Sequence, residues 1–202
     1  MSFTLVVVFL AALTQGLLGF GSAMVAMSLL PGPLGLATAT PLVAVLALPT
    51  EGIMLVRYRG ALNWRAAASL ALGMLAGVPV GMFTLRHVGE GVLLPILGLV
   101  IVAYALYALA EWRLPELRAP HWGVLAGWLG GVLGGAYNTS GPPVVVYGNC
   151  RRWAPPEFKA SLQAFFLLCD TTVVTGHLLA GNLTPVVWRH IAAGLPAAVL
   201  GV

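Results

Sequence analysis

Ionisable side chains are what this sequence has least of. Residues 1–50 contain no Asp, Glu, Lys, Arg or His, and further stretches free of them run over 66–85, 91–110 and 122–150. Only 8% of the 202 residues are charged and 59% are hydrophobic, whereas an average soluble domain carries roughly 25% charge. A soluble fold could not cover its surface with such a chain. About 20 apolar helical residues cross the hydrocarbon core of a bilayer, so the sequence reads as an all-α, polytopic helical membrane protein with the lipid bilayer as its surroundings. Cysteine is scarce as well, and Cys150 and Cys169 lack the spacing of a disulfide framework or a zinc site. Neither a His-Glu-x-x-His nor a Gly-x-x-x-x-Gly-Lys pattern occurs, so no metal, cofactor or nucleotide-driven pump is indicated. The basic excess, 10 Lys and Arg against 6 Asp and Glu, lies in short loops and reads as membrane topology, with no nucleic-acid partner expected. The first apolar stretch has neither a basic flank nor a small-residue cleavage pattern, so it is read as mature protein.

Glycine (25) and proline (14) are abundant, which suits close helix packing and interrupted helices inside a membrane. Apolar segments fall at 3–30, 36–56, 66–85, 92–110, 122–147, 160–180 and 186–202. The first and fifth are interrupted, by Gly16-Leu17-Leu18-Gly19-Phe20-Gly21-Ser22 and by Gly134-Gly135-Ala136-Tyr137-Asn138-Thr139-Ser140-Gly141-Pro142-Pro143. Glycine and proline break helices, here at what would be mid-membrane depth. The interruptions mark an internal duplication. Gly16-Leu17-Leu18-Gly19 matches Gly131-Val132-Leu133-Gly134, and Gly60-Ala61-Leu62 before Trp64 and Arg65 matches Gly181-Asn182-Leu183 before Trp188 and Arg189. Two repeats, 1–118 and 119–202, follow. The first has a fourth apolar segment and the second stops inside its third, so by symmetry about 30 residues, one helix, would be missing from the C-terminus.

Loop charge decides how the interrupted segments are threaded. If all seven segments cross, the basic residues divide six to four, a weak bias. If the two interrupted segments are re-entrant, Arg57, Arg59, Arg65, Arg113, Arg118, Arg151, Arg152 and Lys159 share one side and only Arg86 and Arg189 take the other. That is a positive-inside pattern with the loops 57–65, 113–118 and 151–159 cytoplasmic. Each repeat then crosses three times, an odd number, which inverts one repeat relative to the other. Inverted repeats with broken helices are a transporter architecture whose site lies near the midplane. Trp64, Trp112, Trp122, Trp153 and Trp188 flank the spans as interfacial anchors do.

The paired stretches, Gln15 to Ser22 and Gly130-Gly131-Val132-Leu133-Gly134-Gly135 leading through Thr139-Ser140-Gly141-Pro142-Pro143 to Tyr147, resemble the motifs of the TauE/SafE family, also called the TSUP permeases. The resemblance spans the whole chain and includes the Pro155-Pro156-Glu157-Phe158-Lys159-Ala160-Ser161-Leu162 start of the sixth segment. It implies a permease of the bacterial inner membrane, usually with eight segments, that moves sulfite, organosulfonates or related small anions. The absent eighth segment departs from that pattern.

The residues themselves point to an anion. Thr139 or Ser140 can cap a helix resuming at Gly141-Pro142-Pro143, and Gly21-Ser22 can open one through Met27. Helix N-termini carry partial positive charge and unpaired N–H groups, a site for a small oxyanion. The candidate substrate-binding residues are Gln15, Gly19, Gly21 and Ser22 in the first break and Asn138, Thr139, Ser140 and Gly141 in the second. Gly73, Gly77 and Gly81, spaced by four, read as helix-packing contacts. In the sixth segment Gln163, Asp170 and His177 recur every seven residues, nearly two turns. They form one polar stripe about 21 Å long, a candidate proton relay in which Asp170 and His177 couple transport to the proton gradient. Glu51 is read as snorkelling toward Arg57 or Arg59. Two rivals stand beside the transporter. One is an intramembrane serine hydrolase with Ser140 as nucleophile and His177 as base, although Ser140 is followed by Gly and Pro-Pro, where a cap explains it. The other is a membrane subunit that transports nothing. Direction of transport and coupling ion are open, as is assembly into a homo-oligomer.

Overall fold

The structure, a computed structural model, describes residues 2–110, 114–117 and 119–202. Among the described residues there are ten helices of the α type and no strand: α1 Ser2–Leu18, α2 Ser22–Leu29, α3 Pro31–Leu34, α4 Leu36–Tyr58, α5 Trp64–His87, α6 Glu90–Leu109, α7 Pro120–Tyr137, α8 Gly141–Cys150, α9 Pro155–Leu179 and α10 Pro185–Leu200. Four helical stretches, Leu36–Ala61, Trp64–His87, Glu90–Leu109 and Pro155–Leu179, are long and apolar enough to cross a membrane, and α1 and α10 are shorter apolar helices. The chain is a multi-pass membrane protein. Large apolar side chains such as Leu72, Phe83, Leu99 and Leu106 point outward, as a surface bathed in lipid requires. Glu111, Trp112, Arg113 and Arg118 lie outside the described residues, and with them part of the 113–118 loop and one predicted interfacial tryptophan.

Both glycine-rich interruptions are hairpin tips. Gly19 (φ 83°) and Gly21 (φ 101°) take left-handed backbone conformations that stop α1, and α2 returns beside it. Gly21 lies against Thr14 and Ser22 bonds Gln15, and Ala26 lines a cavity together with Val8 and Ala11. At the second tip Asn138 is left-handed (φ 52°), a conformation Asn tolerates better than most residues. α8 then doubles back along α7, Gly134 facing Ser140, Gly130 facing Val144 and Gly123 facing the Tyr147 hydroxyl.

Polar contacts show where the ends of these helices gather. Leu117 N donates to Cys150 O at 3.2 Å, Arg152 Nη2 to Leu114 O at 3.2 Å and Asn63 Nδ2 to Glu157 Oε1 at 2.7 Å. The described parts of the loops near 57–65, 114–117 and 150–159 therefore sit together at one end of the bundle, and the second hairpin opens toward it. At the other end Glu90 Oε1 accepts from Leu36 N at 2.8 Å, bringing the close of the first hairpin beside the α5–α6 turn. The two hairpins enter from opposite ends with their tips inward.

A glycine seam joins α5 to α7. A Cβ on Gly73 would overlap the Val124 carbonyl, one on Gly77 the Trp128 carbonyl and one on Gly81 the Val132 carbonyl. The contacts advance together along both helices, so α5 and α7 run parallel, backbone against backbone, as small-residue stripes permit. α1 and α10 also run parallel, with Gly194 against Val8 and Gly201 against Ala12 and Leu13.

Candidate functional site

The hairpin tips close on a small cavity of about 20 Å³, room for about one water molecule. The first break contributes Gly21 and Ser22 with Gln15 behind them, the second contributes Asn138, Thr139, Ser140 and Gly141, α4 contributes Glu51, and α9 contributes Phe166 and Asp170. Residues far apart in sequence are brought there because each hairpin reverses at the depth where α4 and α9 pass.

The first tip is internally satisfied. Gln15 Oε1 accepts from Ser22 Oγ at 3.0 Å and from Ser22 N at 3.4 Å. Gln15 Nε2 donates to Gln163 Oε1 at 3.1 Å, and Gln163 Nε2 donates to Gly19 O at 2.7 Å. Gln15, Gly19 and Gln163 thus hold the break in shape, and neither Gly19 nor Gln163 lines the pocket. Above them α2 runs through Leu29, beyond the expected Met27. Val25 N is the first to find a carbonyl, Gly21 O at 3.0 Å, which leaves the N–H groups of Ala23 and Met24 toward the pocket.

The second tip is differently built from the expectation. Ser140 occupies the N-cap position of α8 but makes no side-chain capping bond; Thr139 Oγ1 donates instead to Tyr137 O at 3.0 Å, and the Ser140 hydroxyl engages the Cys169 thiol. Pro142 and Pro143 have no N–H, so the first turn of α8 offers Gly141 N, not a full set of donors. What this tip supplies is Asn138. It is 1% exposed, and its amide reaches the Asp170 carboxyl, while no hydrogen bond of full geometry satisfies Nδ2 or Oδ1. An amide with one carboxyl contact has donor and acceptor capacity to spare, which is costly when buried unless something occupies the space it faces.

Glu51 corrects the sequence reading most. It does not snorkel toward Arg57 or Arg59: it is 3% exposed and lines the pocket. α4 runs on to Tyr58, which carries the basic residues more than a turn away. A side-chain hydrogen bond joins Glu51 to Asp170, itself 3% exposed, and the Asn138 amide contacts the same Asp170 carboxyl. Counted from the first residues of α4 and α9, Leu36 and Pro155, the two carboxyls stand at the same register. In the duplication expected from the sequence, the two positions would correspond.

His177 is not part of this pocket. It is buried near the end of α9, where Asn182 Nδ2 lies 2.9 Å from its Nδ1. The residues of the expected stripe reach three different surroundings: Gln163 the first tip, Asp170 the pocket and His177 the 180–184 turn. No Ser140–His177 pair forms, so the hydrolase constellation is absent among the described residues.

Comparison with known proteins completes the site's context. The sequence profile of the family described as Sulfite exporter TauE/SafE matches residues 4–202. The chain belongs to the TauE/SafE family. It is 30% identical over 194 residues, covering 92% of this chain and 75% of the relative, to a probable sulfite/organosulfonate exporter TauE of Cupriavidus necator. No solved structure matches the chain. TauE/SafE proteins are transporters, so the chain is a membrane transporter and not an enzyme, and the reading as a subunit that transports nothing falls with the hydrolase.

Proposed function

We propose that this TauE/SafE protein moves small oxyanions, sulfite or organosulfonates, across the bacterial inner membrane, with the anion held between the two hairpin tips. One observation carries the reading: Asn138, buried with hydrogen-bonding capacity beyond its contact with Asp170, faces a pocket into which the N-terminus of α2 also opens. An oxyanion presents several acceptors to one side-chain donor and the free N–H groups of Ala23, Met24 and Gly141, and the partial positive charge of a helix start favours it. No buried Lys or Arg is then needed. The name of the Cupriavidus necator relative points to the same substrate class. The cluster of basic loops at one end of the bundle supports a cytoplasmic position for that end under the positive-inside rule.

Flux of sulfite and of methanesulfonate into proteoliposomes, measured with the whole chain and with Asn138→Gly, tests this. The expected result is saturable flux of at least one anion, lowered about tenfold or more in the variant, as when a site loses a hydrogen bond it was built to make. Equal flux in protein-free liposomes, or an unaltered variant, overturns it.

A further inference from the structure

Two carboxyls meet in the pocket that receives the anion. Glu51 and Asp170 are each 3% exposed and joined by a side-chain hydrogen bond. An ionised carboxylate only accepts hydrogen bonds, so that bond exists while one of the two carries a proton. With both ionised, they would repel each other in a site poor in water, and would repel an incoming oxyanion as well. Glu51 Oε2 has no protein partner of its own, and the Asn138 amide reaches Asp170 from the second tip.

We propose that Glu51 and Asp170 are the proton-carrying element of the transporter. The pair holds one proton in the empty pocket, takes a second from the open side as the oxyanion enters, and releases it on the side to which the anion leaves. Anion and proton therefore cross together. This rests on the anion reading above. The ionisable neighbour of the pair is Cys169 on α9, whose thiol is engaged by Ser140. Tyr137, at the end of α7, is buried in the adjoining apolar cluster. α1 and α2 carry no ionisable side chain, and Tyr147 and Cys150 fall late in α8. The other ionisable groups of the packed helices lie toward their ends: Arg57 and Tyr58 on α4, Arg65, Arg86 and His87 on α5, His121 on α7, Glu157, Lys159 and His177 on α9, and Arg189 and His190 in the first half of α10.

The test reconstitutes the whole chain in proteoliposomes containing a pH-sensitive dye, with sulfite as the probe. A gradient of one pH unit drives about tenfold accumulation for each proton carried, and sulfite addition outside acidifies the lumen in step with uptake. In Glu51→Gln combined with Asp170→Asn, fixed as neutral amides, the sulfite flux that remains is no longer accompanied by gradient-driven accumulation or a dye response. A double variant that accumulates sulfite like wild type, or wild-type flux without proton movement, overturns the proposal while leaving anion transport standing. Absence of sulfite and methanesulfonate flux in wild type overturns the transport reading itself. Infrared spectroscopy decides the pair without flux. A carbonyl-stretch band of a protonated carboxylic acid at neutral pH, lost in Glu51→Gln and in Asp170→Asn, supports it; no such band in the wild type overturns it.

Discussion

Gln15 and Gln163, 148 positions apart, face each other through their amides, Nε2 of the first donating to Oε1 of the second at 3.1 Å. Through this bond and the one from Gln163 Nε2 to Gly19 O, α9 fixes the shape of a break in α1. Replacing Gln163 by Leu leaves the Gly19 carbonyl and the Gln15 amide without partners in a buried place. A cost of about 1–3 kcal/mol for each orphaned group is expected, read as a lower melting temperature of the purified protein in detergent.

The second tip separates backbone from side-chain effects at one position. Asn138→Gly retains the left-handed conformation and removes the amide, so stability stays near wild type while sulfite flux falls. Asn138→Ala also loses flux and adds a conformational cost of about 1–2 kcal/mol. Melting curves and flux measured on both variants check the separation.

The parallel seam of α5 and α7 predicts a contrast between two glycines. Gly77→Ala forces a methyl into the Trp128 carbonyl, and overpacking of this kind costs about 1–3 kcal/mol. Gly98→Ala on α6 meets nothing within 4 Å and leaves the melting temperature unchanged or slightly raised.

Because His177 binds Asn182 and does not line the pocket, His177→Gln retains the pH profile of sulfite flux. Asp170→Asn changes that profile. Flux followed across a series of pH values in both variants distinguishes a turn anchor from a pocket carboxyl.

The clustered loops predict which positions share a side. In a background with Cys150 and Cys169 replaced by Ala, cysteines at Gly60 and Ala154 react with an impermeant thiol reagent from one side of the membrane, and a cysteine at Gly89 reacts from the other. Opposite labelling of positions 60 and 154 would contradict the contact between Asn63 and Glu157.

Much of the scaffold was legible because its causes are local. Uncharged runs mark helices, and Gly19, Gly21 and Asn138 mark reversals by the backbone conformations they allow. The pocket was legible in part, since the glycine-rich breaks pointed to the tips. Glu51 escaped because its nearest charged neighbours in sequence are Arg57 and Arg59, while its neighbour in space is 119 positions away, reached through the common register of α4 and α9. The seven-residue spacing that aligned Asp170 with His177 was real, but a shared helix face says nothing about depth, and the turn holding Asn182 captures His177 first. That Pro142 and Pro143 lack N–H groups was readable from the sequence, and it limits what the start of α8 can donate.

Carbonyl groups of α7 rest directly on the glycines of α5, with no side chain between them to change rotamer and absorb a displacement. α5 comes from the first half of the chain and α7 from the second, so this contact works as a weld between halves. Many transporters with repeated halves alternate by rocking one against the other. A welded pair resists that motion. Any rocking of the two halves would have to shear backbone against backbone along this seam.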